Sequence, residues 1–404
     1  MTALPVLDVA ALRARFPQLV GGSAHFDGPG GTQTPDVVAD AVRATLLAPL
    51  ANRGTLTRAA RNAEAVVQGA RAALGDLLAV PAQTVVVGRS ATQLTFDLAR
   101  TLSAGWGPGD EVVVTRLDHD ANVRPWVRAA EAVGATVRRV PFDPATSELV
   151  PEDVAAQLSP RTRLVAVTGA SNLLGTRPDL PAVAALVHEV GALLHVDGVH
   201  LAPHAVVDVP ATGADTFVCS PYKFLGPHHG VLTGRAGLLE ELRPDKLDPS
   251  SDAVPERFEL GTLPYELLAG TTAAVDLLAG LVPAPDGTDR RSRLVASMGA
   301  VGRHEDRLRA RAEDGLRDLG ATVRSRAARR TPTLLCTFDD HRPADVARAL
   351  AAVGVDAPAG HFYAQEASRW LGLGDEGGLR VGMAPYTDDD DVDRLLGALA
   401  DVLR

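Results

Sequence analysis

Thr216-Phe217-Val218-Cys219-Ser220-Pro221-Tyr222-Lys223-Phe224-Leu225-Gly226-Pro227 is the stretch whose reading decides this chain. A short apolar run ends in small polar residues and then presents a lysine between two aromatics. Among the 40 lysines and arginines of the chain, only Lys223 and Lys246 are lysine. Arginine serves wherever plain positive charge is enough, so a retained lysine points to chemistry that arginine cannot perform. A guanidinium does not lose its proton in a protein. A desolvated amine does, and only the unprotonated amine forms a Schiff base. Lys246, in the loop Arg243-Pro244-Asp245-Lys246-Leu247-Asp248, suits an ordinary surface position.

Upstream lies Ala192-Leu193-Leu194-His195-Val196-Asp197-Gly198-Val199-His200, which reads as a buried strand ending in a carboxylate, with a histidine three residues later. In open α/β sheets ligands sit at the carboxyl ends of strands, so Asp197 and Lys223 are expected to face one crevice. An acid and a Schiff-base lysine on neighbouring strand ends are what pyridoxal 5'-phosphate requires. The acid keeps the pyridine nitrogen protonated, which makes the ring an electron sink, and the lysine holds the aldehyde. Alone, Asp-x-x-His is a weak signal; the lysine context strengthens it.

Length and composition bound the rest. A chain of 404 residues with 46% hydrophobic content has room for two domains with sizeable cores. A net charge of −10 with dispersed arginines offers no basic stripe for nucleic acid. Met1 to Asp8 lacks a basic region followed by an apolar core, and no run approaches the roughly eighteen apolar residues of a membrane span, so a soluble, cytoplasmic protein is expected. Two cysteines, Cys219 and Cys336, exclude a disulfide framework. His228 and His229 have no carboxylate or cysteine at ligand spacing, and no metal site is expected.

Strand and helix patterns alternate from about residue 80 to 235, which implies a mostly parallel sheet between helical layers. Strands are expected at 84–88, 111–115 and 163–168, and helices at 9–16 and 61–78. Beyond the break at Leu281-Val282-Pro283, a long charged helix is expected over 289–319, its arginines forming a solvated face. Strands at 333–338 and 378–382 and a terminal helix carrying Val392, Leu395, Leu396 and Leu399 make a small α+β unit. The expected division is a large domain over 20–280, with 1–19 and 281–404 forming the small one. The glycine-rich His25-Phe26-Asp27-Gly28-Pro29-Gly30-Gly31 either lines a pocket or is a plain turn; its spacing is not that of a dinucleotide fingerprint. Ser90 and Thr92 open a helix, where they serve as an anion site or simply as caps.

From Phe26-Asp27-Gly28-Pro29-Gly30 to Arg380-Val381-Gly382 the chain resembles the class V aminotransferase group of fold-type I pyridoxal phosphate enzymes, in its cysteine desulfurase and selenocysteine lyase branch. The resemblance implies a large domain with a mostly parallel seven-stranded sheet in three layers. It implies that Ala91 and Thr92 cradle the cofactor phosphate, with hydroxyls from Ser220 and Tyr222. Asn172 then lies near the cofactor's phenolic oxygen. His200 falls where desulfurases carry glutamine and could donate to the same oxygen. Arg380 matches the arginine that binds the substrate carboxylate as a fork, and Arg53 lies in a polar loop that reaches the site. Thr262, in Arg257-Phe258-Glu259-Leu260-Gly261-Thr262, matches a residue that reaches the neighbouring subunit's phosphate, which implies an obligate homodimer with shared active sites. The branch usually has a histidine stacked on the ring where Asp120 stands. Aspartate cannot stack, so either His119 covers the ring or Asp120 acts on the substrate side.

The resemblance breaks at the nucleophile. A desulfurase attacks sulfur with a thiolate from a mobile loop, and in Ala359-Gly360-His361-Phe362-Tyr363-Ala364-Gln365 the cysteine's place is taken by Tyr363. Pro358 stands where an arginine usually helps. A phenol with a pKa near 10 is no persulfide carrier. The expected function is therefore a pyridoxal phosphate enzyme acting on an amino acid, most naturally as a C–S or other β-lyase. In it Lys223 moves the Cα proton, Asp197 holds the ring nitrogen's proton, and Tyr363 donates to the substrate or shuttles a proton. An aminotransferase or epimerase on the same scaffold, or a cofactor-binding protein whose catalysis has decayed, are the alternatives.

Overall fold

A computed structural model describes residues 5–404, so the reading made on Met1 to Leu4 lies outside the described residues. The main sheet has seven strands in the order Val86–Gly88, Gly230–Gly234, Thr216–Cys219, Leu193–Asp197, Thr162–Thr168, Glu111–Thr115, Thr136–Val140. Only Gly230–Gly234 runs against its neighbours; the remaining contacts within Thr216–Cys219 to Thr136–Val140 are parallel. The sequence dictates this burial. Val112, Val114, Leu164, Ala166, Val218 and Leu232 point into one core, with the helices Ala91–Ser103 and Arg124–Val133. Their alternates Val113, Val165, Val167, Leu194, Val196 and Phe217 point into a second core on the other face. A strand apolar at every position with a period of two must be covered on both sides, and three layers result.

Two of the seven strands were not read from sequence. Thr136-Val137-Arg138-Arg139-Val140 is an edge strand whose charges are paired: Arg138 Nε donates to Glu111 at 2.8 Å and Arg139 Nε to Glu366 at 2.9 Å. Gly230–Gly234 lies against the start of the helix Ala91–Ser103, where a Cβ at Gly230 would run into the Ser90–Ala91 peptide.

A four-stranded antiparallel sheet, in the order Ala359–Gly360, Gly378–Gly382, Thr333–Thr337, Thr322–Val323, forms a separate layer with the helices Pro343–Ala352 and Asp389–Val402. The helix Arg290–Asp318 joins the two bodies. Its 29 residues span about 43 Å, with Leu294, Met298 and Val301 in the core of the main sheet and Leu308, Ala312 and Leu316 in that of the small one. Its arginines are not merely a solvated face. Glu313, only 4% exposed, is gripped by Arg309 at 3.1 Å, Arg330 at 2.8 Å and Arg317.

Leu7, Leu12 and Phe16 lie in a core that draws on both bodies, with the Phe16 ring 4.8 Å from that of Tyr386 and Arg13 paired with Asp388 and Asp391, and Ala24 and Phe26 pack in the core of the small sheet. The physical reason is that Ala24 and His25 form a parallel pair with Val355 and Asp356, which ties residues 24–26 to the C-terminal body. Asp27 bridges onward to Gly382, so this segment brings the glycine-rich turn to the joint between the sheets.

Candidate active site

The carboxyl ends of the parallel strands open into a cavity of roughly 600 Å³. Lys223, Asp197, His200, Asn172, His119 and Arg380 all line it. Asp197 is the last residue of its strand, and Lys223 ends a short turn, Pro221–Lys223, directly after the neighbouring strand. The turn closes because Leu225 takes a left-handed backbone, φ +70°, which folds the chain back after the lysine.

Lys223 is 8% exposed. Its ammonium donates to the carbonyls of Pro29 and Gly30, the latter at 3.0 Å. Burial brings its pKa down to about 7, with Arg380 pushing the same way and Asp27 and Asp197 opposing. An amine near neutrality can both carry and release a proton at working pH. Asp197 accepts the Val199 N–H at 2.9 Å. Burial raises its pKa to about 6, held back by that N–H and by Lys223. Behind it Asp118, fully buried, is raised well above the carboxylate range by desolvation and accepts from Asn122 at 2.7 Å.

His200 turns Nε2 away from the cavity to two hydroxyls, Thr333 at 2.9 Å and Thr331 at 3.0 Å, and its Nδ1 has no protein partner. Asn172 donates Nδ2 to the Phe362 carbonyl at 2.9 Å, and its buried Oδ1 is likewise without a partner. Arg380 is not a solvent-facing strand arginine. It is 2% exposed, donates to Asp27 at 2.5 Å and to the Asn172 carbonyl at 3.2 Å, and lies 3.6 Å from the centre of the Phe362 ring.

His119 and Asp120 both border the cavity but in different ways. The His119 ring sits 5.4 Å from that of Tyr363, and burial with Lys223 nearby pushes its pKa down to about 4. The Asp120 carboxylate is committed to Arg124 at 3.1 Å, while its backbone N–H donates to the Tyr363 carbonyl at 2.8 Å. Tyr363 is 70% exposed at the mouth of the cavity. It and Phe362 hold positive φ, +59° and +49°, an uncommon pairing for two residues with side chains.

At the other end, Ala91 and the exposed Thr92 begin the helix Ala91–Ser103 and border the cavity with Ser220 and Tyr222. Ser90 caps that helix, accepting from the Gln93 N–H at 3.1 Å. The Tyr222 ring stacks on His228 at 4.7 Å. Two expected residues are not brought to this cavity within the chain. Arg53 is tied to Glu64 at 2.9 Å and to Glu256 at 3.1 Å, and Thr262 is exposed on a turn away from the lining. Cys219 and Cys336 are both fully buried in strands. Burial pushes the Cys336 thiol up to about 12 and that of Cys219 higher still.

Sequence reasoning gave no role to Asp27, Arg124, Phe96 or Phe362, all of which line the cavity. Asp27 was legible only as part of a glycine-rich run; its partner Arg380 lies 353 residues away. Among the described residues no group of His, Cys, Asp and Glu is arranged to hold a metal ion, and no helix is long and apolar enough to cross a membrane.

The family described as Aminotransferase class-V matches residues 24–395. An uncharacterized protein of Mycobacterium tuberculosis is 36% identical over 401 residues, covering 97% of this chain and 98% of its own. An aminotransferase-like protein of Gibberella zeae is 31% identical over 412 residues, covering 98% of each. The crystal structure of the cysteine desulfurase CsdA from Escherichia coli superposes with a TM-score of 0.86 at 27% identity, over 98% of each chain. With a matching family across nearly its whole length and the strand-end lysine and acid in one cavity, this chain belongs to the class-V aminotransferase family, in its cysteine desulfurase-like branch, and is a pyridoxal-phosphate-dependent enzyme.

Proposed function

We propose that this enzyme is a β-lyase that releases the Cβ substituent of an amino acid, a C–S bond foremost, without a cysteine persulfide. The observation that carries this reading is where the nucleophiles lie. The residue exposed at the cavity mouth is Tyr363, whereas both cysteines are fully buried in strands with raised thiol pKa values. A thiol held that high supplies almost no thiolate at neutral pH.

The cavity suits pyridoxal 5'-phosphate on grounds of its own donor set. Asp197 offers an acid for the ring nitrogen and Lys223 an amine for the aldehyde. The helix start at Ala91 and Thr92, with the hydroxyls of Ser220 and Tyr222, offers donors for a phosphate. His200 Nδ1 and Asn172 Oδ1, buried and without protein partners, leave polar atoms for the ring substituents. When bound, the cofactor withdraws electron density from the substrate's Cα.

The remaining work falls to this chain's residues. Arg380 presents a guanidinium to the substrate carboxylate, in exchange for Asp27. Lys223, with a pKa near 7, takes the Cα proton and returns one to product. Tyr363 and His119, whose rings meet at the mouth, stand where a leaving sulfur would need a proton or a hydrogen bond. Asp120 is paired with Arg124, which leaves His119 as the residue that would cover the cofactor ring.

The same reading includes a homodimer with shared sites. It is supported by Thr262 and Arg53 lying off the cavity of their own chain and by the exposed apolar Leu46, Leu47 and Leu56. Sedimentation of the purified protein as a monomer at micromolar concentration would remove it.

The lyase reading is tested by incubating the enzyme with cysteine and other S-substituted amino acids. Expected products are sulfide or thiol, pyruvate and ammonia in equal amounts. Alanine with a protein persulfide would make the enzyme a desulfurase after all. A new amino acid formed from an added keto acid would make it an aminotransferase.

A further inference from the structure

Thr333 and Thr331 belong to the C-terminal body, while His200 follows a strand of the main sheet. All three are nearly inaccessible, at 0%, 2% and 3% exposure. Both hydroxyls meet the same ring nitrogen, Nε2, and each carries a proton that must be placed. Thr331 has a second acceptor in the Gly175 carbonyl at 3.4 Å, which already takes the Thr331 N–H at 2.9 Å. The Thr333 hydroxyl has only Nε2 among the described residues.

Two tautomers of neutral His200 are open, and they differ in what they leave unmet. With the proton on Nε2, both threonine oxygens accept from it, and the Thr333 hydroxyl proton is stranded in a sealed interior. The Nδ1 lone pair is then unmet as well. With Nε2 bare, Thr333 donates to it, and the one group left over is Nδ1–H, on a residue that lines the cavity. A buried donor without an acceptor is the costly outcome, and the second arrangement places that donor where a ligand can accept from it.

We propose that Thr333, supported by Thr331, is a positioning residue that fixes His200 as the Nδ1–H tautomer and so presents a hydrogen-bond donor to an oxyanion bound in the cavity. This rests on the cofactor reading above, in which that oxyanion is the ring's phenolate. The back of the imidazole is also held. His204 meets it edge-on, with ring centres 5.0 Å apart and planes at 72°, and His204 Nδ1 is bound to Glu305 at 3.0 Å. Both members of that pair are nearly inaccessible, at 6% and 1%. Burial, with His204, Lys223 and Arg380 adding to it, drives the His200 pKa well below its ordinary value, so a second proton does not settle on Nε2.

The test reads the tautomer directly, by nitrogen-15 NMR of the full chain labelled at histidine, with cofactor bound and after its removal. A His200→Asn variant assigns the signal. Wild type and Thr333→Ser should show the proton on Nδ1. Thr333→Val, which keeps the side-chain shape and removes the hydroxyl, should shift the ring toward Nε2–H and weaken cofactor binding about tenfold. Thr333→Ser should restore both. A proton on Nε2 in wild type overturns the proposal even if Thr333→Val fails to fold. A shift in tautomer with unchanged cofactor affinity overturns the oxyanion as the acceptor. Because the tautomer is read without substrate, failure of the lyase reading leaves this result standing.

Discussion

Lys223 costs the protein stability, and the cost depends on pH in a way that can be measured. Its pKa falls from the ordinary 10.5 to about 7 chiefly through burial. Between those values the native chain binds fewer protons than the unfolded chain, so stability rises with pH across that window. Below pH 7 the penalty is complete. At about 1.36 kcal/mol for each pH unit in the window, it amounts to roughly 5 kcal/mol, good to a unit or two. Lys223→Met removes the charge but also the donors to the Pro29 and Gly30 carbonyls. Those lost hydrogen bonds return roughly 1–3 kcal/mol of the gain. With cofactor removed, Lys223→Met should therefore be more stable than wild type by about 2–4 kcal/mol at pH 6. By pH 10 the advantage should have vanished or reversed, because the wild-type amine is then neutral and keeps its hydrogen bonds. Urea unfolding of both proteins at the two pH values gives the answer, since titrating groups that do not feel Lys223 cancel in the double difference, and Asp197 and His119, which do, belong to the effect being read. An equal stability difference at pH 6 and pH 10 would refute the depressed lysine and, with it, the base assigned to Cα.

Asp197→Asn should lower turnover by at least about a hundredfold while cofactor still binds and the fold persists, read as steady-state rate against visible absorbance and thermal unfolding. Arg380→Lys replaces a fork by a point charge, so KM for the amino acid should rise by about tenfold or more with a smaller change in kcat. Replacing both Cys219 and Cys336 by serine should leave turnover largely intact and cost about 1–2 kcal/mol of stability, since each hydroxyl enters a fully buried strand. Tyr363→Phe should lower turnover more than the double serine variant does. A persulfide found on either cysteine after exposure to substrate, with activity lost alongside that cysteine, contradicts the assignment.

Much of the main sheet was legible because its strands are apolar on both faces. The runs at 111–115 and 163–168 and the strand ending at Asp197 read correctly to within a residue. Strands that depend on a partner did not. Arg138 and Arg139 make 136–140 look like loop until Glu111 and Glu366 are seen to neutralise them. The run Val231-Leu232 between two glycines is too short to announce a strand, and the close helix start that accounts for Gly230 is seen only in the fold. The place of Phe26 has an equally distant origin: the pairing of Ala24 with Val355, far along the chain, draws it into the core of the small sheet.

The site divides along the same line. Lys223 and Asp197 announce themselves because their chemistry is written into the strand ends that carry them. What tunes them comes from afar and carries no local signature. Asp27 neutralises Arg380, Thr333 fixes the ring of His200, and the carbonyls of Pro29 and Gly30 hold the lysine. Each is an ordinary residue made specific by a contact between the main sheet and the C-terminal body or the turn that joins them. The left-handed Phe362 and Tyr363 show the cost of such contacts. Positive φ in two residues with side chains is unfavourable, by about 1–3 kcal/mol each, and persists only where surroundings over-determine it. Here the Asn172 amide and the Asp120 N–H hold the carbonyls of those two residues from the main-sheet side. The segment that carries the mouth residue is thus clamped by the very elements that carry residues lining the cavity floor. A substitution at Asn172 should therefore disturb Tyr363 as well as the cavity floor, although nothing in the sequence near either residue links them.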